Sequence, residues 1–309
     1  MLGICCHFLK EETKPRSGEK YFVNAMEERT LQLGRYRSGK YSPEMIKGTY
    51  VNNVKNLANM LPKIRKFGAK VFRISSAMFP LADQVDRELW DNDEVKKWLK
   101  VAGDYVKEQG MRVTTHPGQF CVLSSDSDSV VEKAFVELGI HGWLFDEMGL
   151  DHSPFYAINI HGGKADRSSR LIEQIKSLPD HVRKRLTLEN DENSYSVIDL
   201  LEVFKETGVP IVFDSHHHVF NDGDLDMADA HAASCETWGT IRPLQHISNT
   251  EPSLVNASVS QRRKHSDMIH YVPAPQLQSM RDDTVDVEVE AKMKNIAISK
   301  MVKDFCIPM

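Results

Sequence analysis

A chain of 309 residues with 41% hydrophobic side chains can bury a full core, and it suits one large α/β domain better than two small ones. The formal net charge of −5 and a pI near 6.2 exclude a chain-wide attraction to nucleic acid, so any such contact must come from a local basic surface. Five cysteines, an odd number without framework spacing, argue against a secreted disulfide scaffold and for a reducing, cytoplasmic setting.

The opening run MLGICCHFL lacks a basic leader and is too short to span a bilayer, so it reads as a first buried strand over 2–7 and no membrane association is expected. Segment 8–42 is polar and rich in Lys, Arg and Glu, and is expected to be a loop-like cover over one rim of the fold. Helical periodicity over 43–67 then leads to a strand at 70–75, a helix at 92–109, a strand at 112–116 and a helix at 127–149. The same alternation continues with strands at 156–161, 185–189, 210–214, 243–247 and 285–290. Helices at 167–178, 195–207, 226–238, 275–282 and 294–305 follow them in turn. Gly68, Gly110 and Gly208 each fall between a helical run and the next strand, as a C-terminal helix glycine does. Eight strands joined by helices, with no GxGxxG or GxxxxGK[ST] phosphate loop, predict a single TIM-type (β/α)8 barrel over 1–309.

In such a barrel function sits at the carboxyl ends of the strands. Those ends carry His116, His161, Glu189, Asp214, His246 and Glu290, one residue from each of six successive strands. Charged and imidazole groups converging on one mouth are costly to bury, and divalent cations are the natural compensation. Carboxylates and imidazoles without cysteine suit manganese, magnesium or zinc in a catalytic rather than a structural site. In the run Asp214-Ser215-His216-His217-His218, side chains leaving a strand alternate, so Asp214 and His217 are taken as ligands, with His216 and His218 behind them or on the rim. Spacing alone leaves His265 open as a ligand reaching over the mouth.

Cys5-Cys6-His7 lacks a second C-x-x-C and is not expected to bind metal. Ser124–Asp128 reads as a helix cap, and His141, His152, His181, His231 and His270 as surface or locally hydrogen-bonded residues. Arg262, Arg263, Lys264 and Lys292 are candidates for phosphate contacts.

The strand-end motifs, in order, resemble those of the UV damage endonucleases. They are FRISS at 72–76, HPGQF at 116–120, NIHGG at 159–163, LENDE at 188–192, FDSHHH at 213–218, HIS at 246–248, KHSDMI at 264–269 and VEAK at 289–292. The resemblance implies a TIM-barrel enzyme with two or three divalent ions, commonly manganese, that nicks damaged double-stranded DNA 5′ of a UV photoproduct. The protein would act as a monomer. It implies His116, His161, Glu189, Asp214, His217, His246, His265 and Glu290 as ligands, with Glu189, His217 and Glu290 at the chemistry, and Gln119 and Phe120 as a lesion-probing pair. Three positions depart from the family pattern: Gln84 and Leu244 stand where the family carries a histidine ligand and a modified lysine, and Ile4 where it has an aromatic probe. Two other readings compete: a xylose-isomerase-like sugar isomerase or epimerase on the same superfold, and a damaged-DNA-binding protein that has lost cleavage.

Overall fold

A computed structural model describes residues 1–15 and 17–309; position 16 of the expected rim segment lies outside the described residues. Eight parallel strands close into a barrel: β1 (Leu2–Cys5), β4 (Val71–Ile74), β5 (Arg112–Thr115), β6 (Ile158–His161), β7 (Leu186–Glu189), β8 (Ile211–Asp214), β9 (Leu244–Ile247) and β10 (Asp286–Val289). Each pairs with its neighbour in sequence, and β10 returns to β1 through Leu2 opposite Val287 and Ile4 opposite Val289. All eight strands and all eight long helices expected from the sequence are present.

The strands alternate between two kinds of burial. Phe72, Ile74, Val113, Ile160, Leu188, Ile211, Ile247, Val287 and Val289 point outward into the continuous core under the helices. The inward set changes character along the barrel axis. Val71, Ala157, Val212 and Leu244 form an apolar layer, the buried Arg112–Asp286 pair lies at 3.1 Å, and above them the inward positions are polar and lead to the mouth. Helix ends follow local chemistry: the Ser42 side chain accepts from the Met45 amide ahead of Pro43–Phe67, and Gly68 ends that helix at φ 107°.

Four expectations need correction. Segment 8–42 is not simply a loop: β2 (Leu9–Thr13) and β3 (Lys20–Asn24) form an antiparallel hairpin, followed by a short helix at Leu33–Arg37. Its strands are laced by charge, with Lys20 to Glu11 at 2.8 Å and Tyr21 to Glu12 at 3.0 Å, instead of by an apolar face. Ser215–His218 is a helical turn, so the strand alternation invoked for the three histidines does not apply there. Ser127 precedes Asp128–Glu147 without a side-chain cap; Asp126 instead pairs with Arg167 at 2.7 Å and with Lys164, docking this loop on the next one. Ile4 is buried in the core and cannot serve as a probe. Among the described residues no helix is long and apolar enough to cross a membrane.

Candidate metal centre

The carboxyl ends of β5 to β10 bring the strand-end residues into one mouth. Three sets of side chains lie close enough to hold an ion: His116, His161 and Glu189; Glu189, Asp214 and His217; Asp214, His246 and Glu290. Within each set the ligand atoms are within 4.8 Å of one another. Glu189 belongs to the first two sets and Asp214 to the last two, so the sets overlap in a row. His265 stands at the outer edge, with Nδ1 3.6 Å from Glu290 and its ring 6.5 Å from that of His217.

Local structure aims these groups. Asp214 ends β8 and caps the turn Ser215–His218: Oδ1 accepts from the His216 and His217 amides at 2.7 and 2.9 Å. Its other oxygen, Oδ2, is buried without a hydrogen-bond partner, as is His161 Nδ1. Buried polar atoms are rarely left unpaired, and here both belong to residues of the clustered sets, as expected of a donor set that fits a divalent ion. His116 Nδ1 donates to the Pro117 carbonyl at 3.0 Å, leaving Nε2 as the lone pair facing Glu189 at 3.1 Å. His217 Nδ1 donates to the Asn190 carbonyl at 2.9 Å, which frees its Nε2.

The electrostatics are those of a concentrated acid–imidazole cluster. Burial works against the Glu189 carboxylate, but His246, His161 and hydrogen bonds from His116 and His217 more than offset it and hold its pKa well below the usual range. Burial likewise opposes a charged His246, yet Glu189 and Glu290 push that ring up to about 10. His161 moves down, chiefly because it is buried.

Several residues escaped the sequence reading. Asn159 donates to Glu189 at 2.5 Å and accepts from Thr187 at 2.8 Å, holding the shared carboxylate in place. Glu192 lies 3.7 Å from His217 Nε2. Arg73, at the end of β4, pairs with Glu288 at 2.6 Å and with Glu290. Each of Asn159, Thr187 and Glu288 sits two residues before a predicted ligand on its strand, the spacing that returns a side chain to the barrel interior, so the signal was present.

His216 and His218 join none of the three sets and are not on the rim: both are buried, and His218 Nε2 is bonded to the Leu225 carbonyl at 3.1 Å. His141 and His231 are buried instead of superficial; His231 meets Ser279 at 3.3 Å, while His141 Nδ1 has no partner. Cys5-Cys6-His7 contributes to none of the sets, and His7 is bonded to Asn24. Gln84 is exposed and bonded to Asp83 at 2.6 Å, whereas Leu244 lies in the apolar layer of the barrel. The three sets form without either position.

Beside the mouth, Phe120 is 78% exposed and Gln119 is also exposed, on the turn that leaves His116. That turn is anchored by the Gly118 amide, which donates to Glu137 at 2.7 Å. Arg262 and Arg263 cover the Phe220 ring at 5.4 and 5.7 Å, and Arg263 also holds Asn193 at 2.5 Å. Lys264 is exposed, and Lys292 faces Asp267 at 3.6 Å.

A family model described as UV-endonuclease UvdE matches residues 19–307. A UV DNA damage endonuclease of Nostoc sp. is 36% identical over 82% of this chain and 77% of its own length. One from Deinococcus radiodurans is 34% identical, covering 88% of this chain and 89% of its own. The crystal structure of SacUVDE superposes with a TM-score of 0.79 at 27% identity, over 99% of both chains. An L-ribulose 3-epimerase superposes at a TM-score of 0.51 with 14% identity over 82% of each chain, a likeness of fold alone.

Proposed function

The chain belongs to the UV-endonuclease UvdE family, and on that premise we propose that its barrel mouth is a manganese centre that nicks damaged double-stranded DNA on the 5′ side of UV photoproducts and related lesions. The observation that carries this reading is the row of three overlapping acid–histidine sets sharing Glu189 and Asp214. A row of that kind suits two or three ions, held by His116, His161, Glu189, Asp214, His217, His246 and Glu290, with His265 added from the rim. When bound, such ions polarise a phosphodiester and bring the pKa of water toward neutrality.

The chain's own groups orient that chemistry. Asn159 fixes the Glu189 carboxylate at 2.5 Å, and the Pro117 and Asn190 carbonyls fix the tautomers of His116 and His217. Glu189, His217 and Glu290 stand nearest the reacting phosphate. Gln119 and Phe120 leave the strand-end ligand His116 after only Pro117 and Gly118, so a lesion wedged open by this pair is held beside the first ligand set. Arg262, Arg263, Lys264 and Lys292 line the approach as cations for phosphate, which a chain of net charge −5 needs locally. The whole chain acts as one catalytic domain, as a monomer, on DNA inside the cell.

Replacing Glu189 by Gln removes the charge shared by two sets while keeping shape. The expected result is retained binding to UV-irradiated duplex and nicking reduced by at least ~100-fold, the loss that follows when catalytic charge stabilisation is removed. Undiminished nicking by Glu189→Gln in manganese-replete buffer would contradict the assignment.

A further inference from the structure

Of the three histidines whose tautomers the surroundings settle, two use a backbone carbonyl: His116 through Pro117 and His217 through Asn190. The third is different. His246 is fully buried on β9 with Nδ1 on the ligand side, 3.0 Å from Glu189 and 3.5 Å from Glu290. Its Nε2 points down the barrel axis to Glu288 Oε2 at 3.0 Å. Glu288 is not in any of the three ligand sets, is 1% exposed, and faces inward from β10 directly opposite His246 in the strand register.

We propose that Glu288 is a positioning residue of the metal centre: its carboxylate accepts the Nε2 proton of His246 and so presents the Nδ1 lone pair to the ion held with Asp214 and Glu290. The inference rests on the metal-centre reading of the mouth. A neutral imidazole that coordinates through Nδ1 must carry its one proton on Nε2, and a buried N–H needs an acceptor. Glu288 is that acceptor. It is held from two sides, by Thr114 Oγ1 on Oε1 and by Arg73 Nε on Oε2 at 2.6 Å. Arg73 also lies 2.7 Å from His246 Nε2 through its NH2 nitrogen. Both nitrogens there are donors once Nε2 is protonated, so that approach is packing, and the guanidinium charge is taken up by Glu288 and Glu290.

The barrel makes room for this carboxylate. A Cβ on Gly3, the facing residue of β1, would lie 2.9 Å from the Val71 side chain and 3.2 Å from Glu288 Cγ. Glycine there leaves the glutamate a path across the interior. Glu288 thus couples β1, β4, β5 and β9 to one ligand, and a carboxylate on the far nitrogen raises the basicity of the coordinating one.

The test uses the full chain stripped with EDTA and titrated with manganese, free ion being read by electron paramagnetic resonance. The native chain is compared with Glu288→Leu, which removes the acceptor, and Glu288→Gln, which keeps a neutral one. Zinc-loaded samples labelled with 15N-histidine report which nitrogen of His246 holds the proton, and circular dichroism checks folding. Glu288→Leu is expected to weaken one class of manganese site by about 10–100-fold and to abolish the native Nε2–H signature, with Glu288→Gln in between. Manganese affinity within twofold of native and an unchanged His246 pattern in Glu288→Leu would overturn the proposal. Should that variant not fold, the same unchanged result in Glu288→Gln overturns it. A native chain that binds no manganese removes the metal-centre reading itself, so the two failures are distinct.

Discussion

Glu28 sits over Ser75, just beyond the end of β4, where burial raises its pKa from 4.5 to about 7 against the opposing effect of the Ser75 hydrogen bond. Its Oε1 is buried without a partner. Because the folded pKa is the higher one, the stabilisation from its protonated form is complete below about pH 4.5 and is lost as pH rises through about 7. Glu28→Gln, measured by urea unfolding in EDTA, should leave stability almost unchanged at pH 5. At pH 8 it should stabilise by ~1–3 kcal/mol, discounted for partial solvation. An equal effect at both pH values would show that the carboxyl is not buried as described. Phe120 makes a second prediction at this scale. Phe120→Ala should weaken binding to UV-irradiated duplex by ~1–2 kcal/mol, about tenfold, if the exposed ring stacks on an unpaired base. The manganese content, read by elemental analysis, should not change, since the ring touches no ligand. The ligands themselves were legible because strand ends in a barrel announce themselves. Arg73, Asn159 and Glu288 were not, since a polar residue two positions inside a strand reads equally well as core until a neighbouring strand supplies its partner.

At the scale of elements, apolar outward positions and punctuating glycines made the barrel readable to within two residues at most ends. The hairpin β2–β3 gave no such signal. Its residues alternate charge with charge, and its pairing is anchored by Asn295, which bonds both the amide and the carbonyl of Leu9 at 2.7 and 3.0 Å from the far end of the chain. A long-range anchor of that kind has no local signature. The turn Ser215–His218 was misread for a related reason: Asp214 was counted as a ligand, and its second role, capping the helical turn, was overlooked. Helix packing yields its own prediction. Gly103, on the buried face of Asp93–Glu108, would place a Cβ 1.8 Å from the Met148 carbonyl oxygen. Backbone cannot give way as a flexible side chain can, so Gly103→Ala should destabilise by at least ~3 kcal/mol in denaturant unfolding. A loss below ~1 kcal/mol would mean that the two helices do not approach as closely as described.

For the whole molecule, bulk charge pointed away from DNA and the strand-end chemistry pointed toward it; the local arrangement prevails because phosphate is met by a few cations around one mouth and not by the average surface. The barrel alone does not choose the reaction, since sugar epimerases share it. Family membership chooses it, and the row of shared carboxylates is the feature through which it would operate. The most direct measurement is to incubate the EDTA-stripped chain with UV-irradiated and unirradiated supercoiled DNA, with and without added manganese, and to map the cut. The account predicts nicking of irradiated DNA alone, dependent on the metal, at the phosphodiester 5′ of the photoproduct. Metal-independent nicking, or equal cutting of unirradiated DNA, would contradict it.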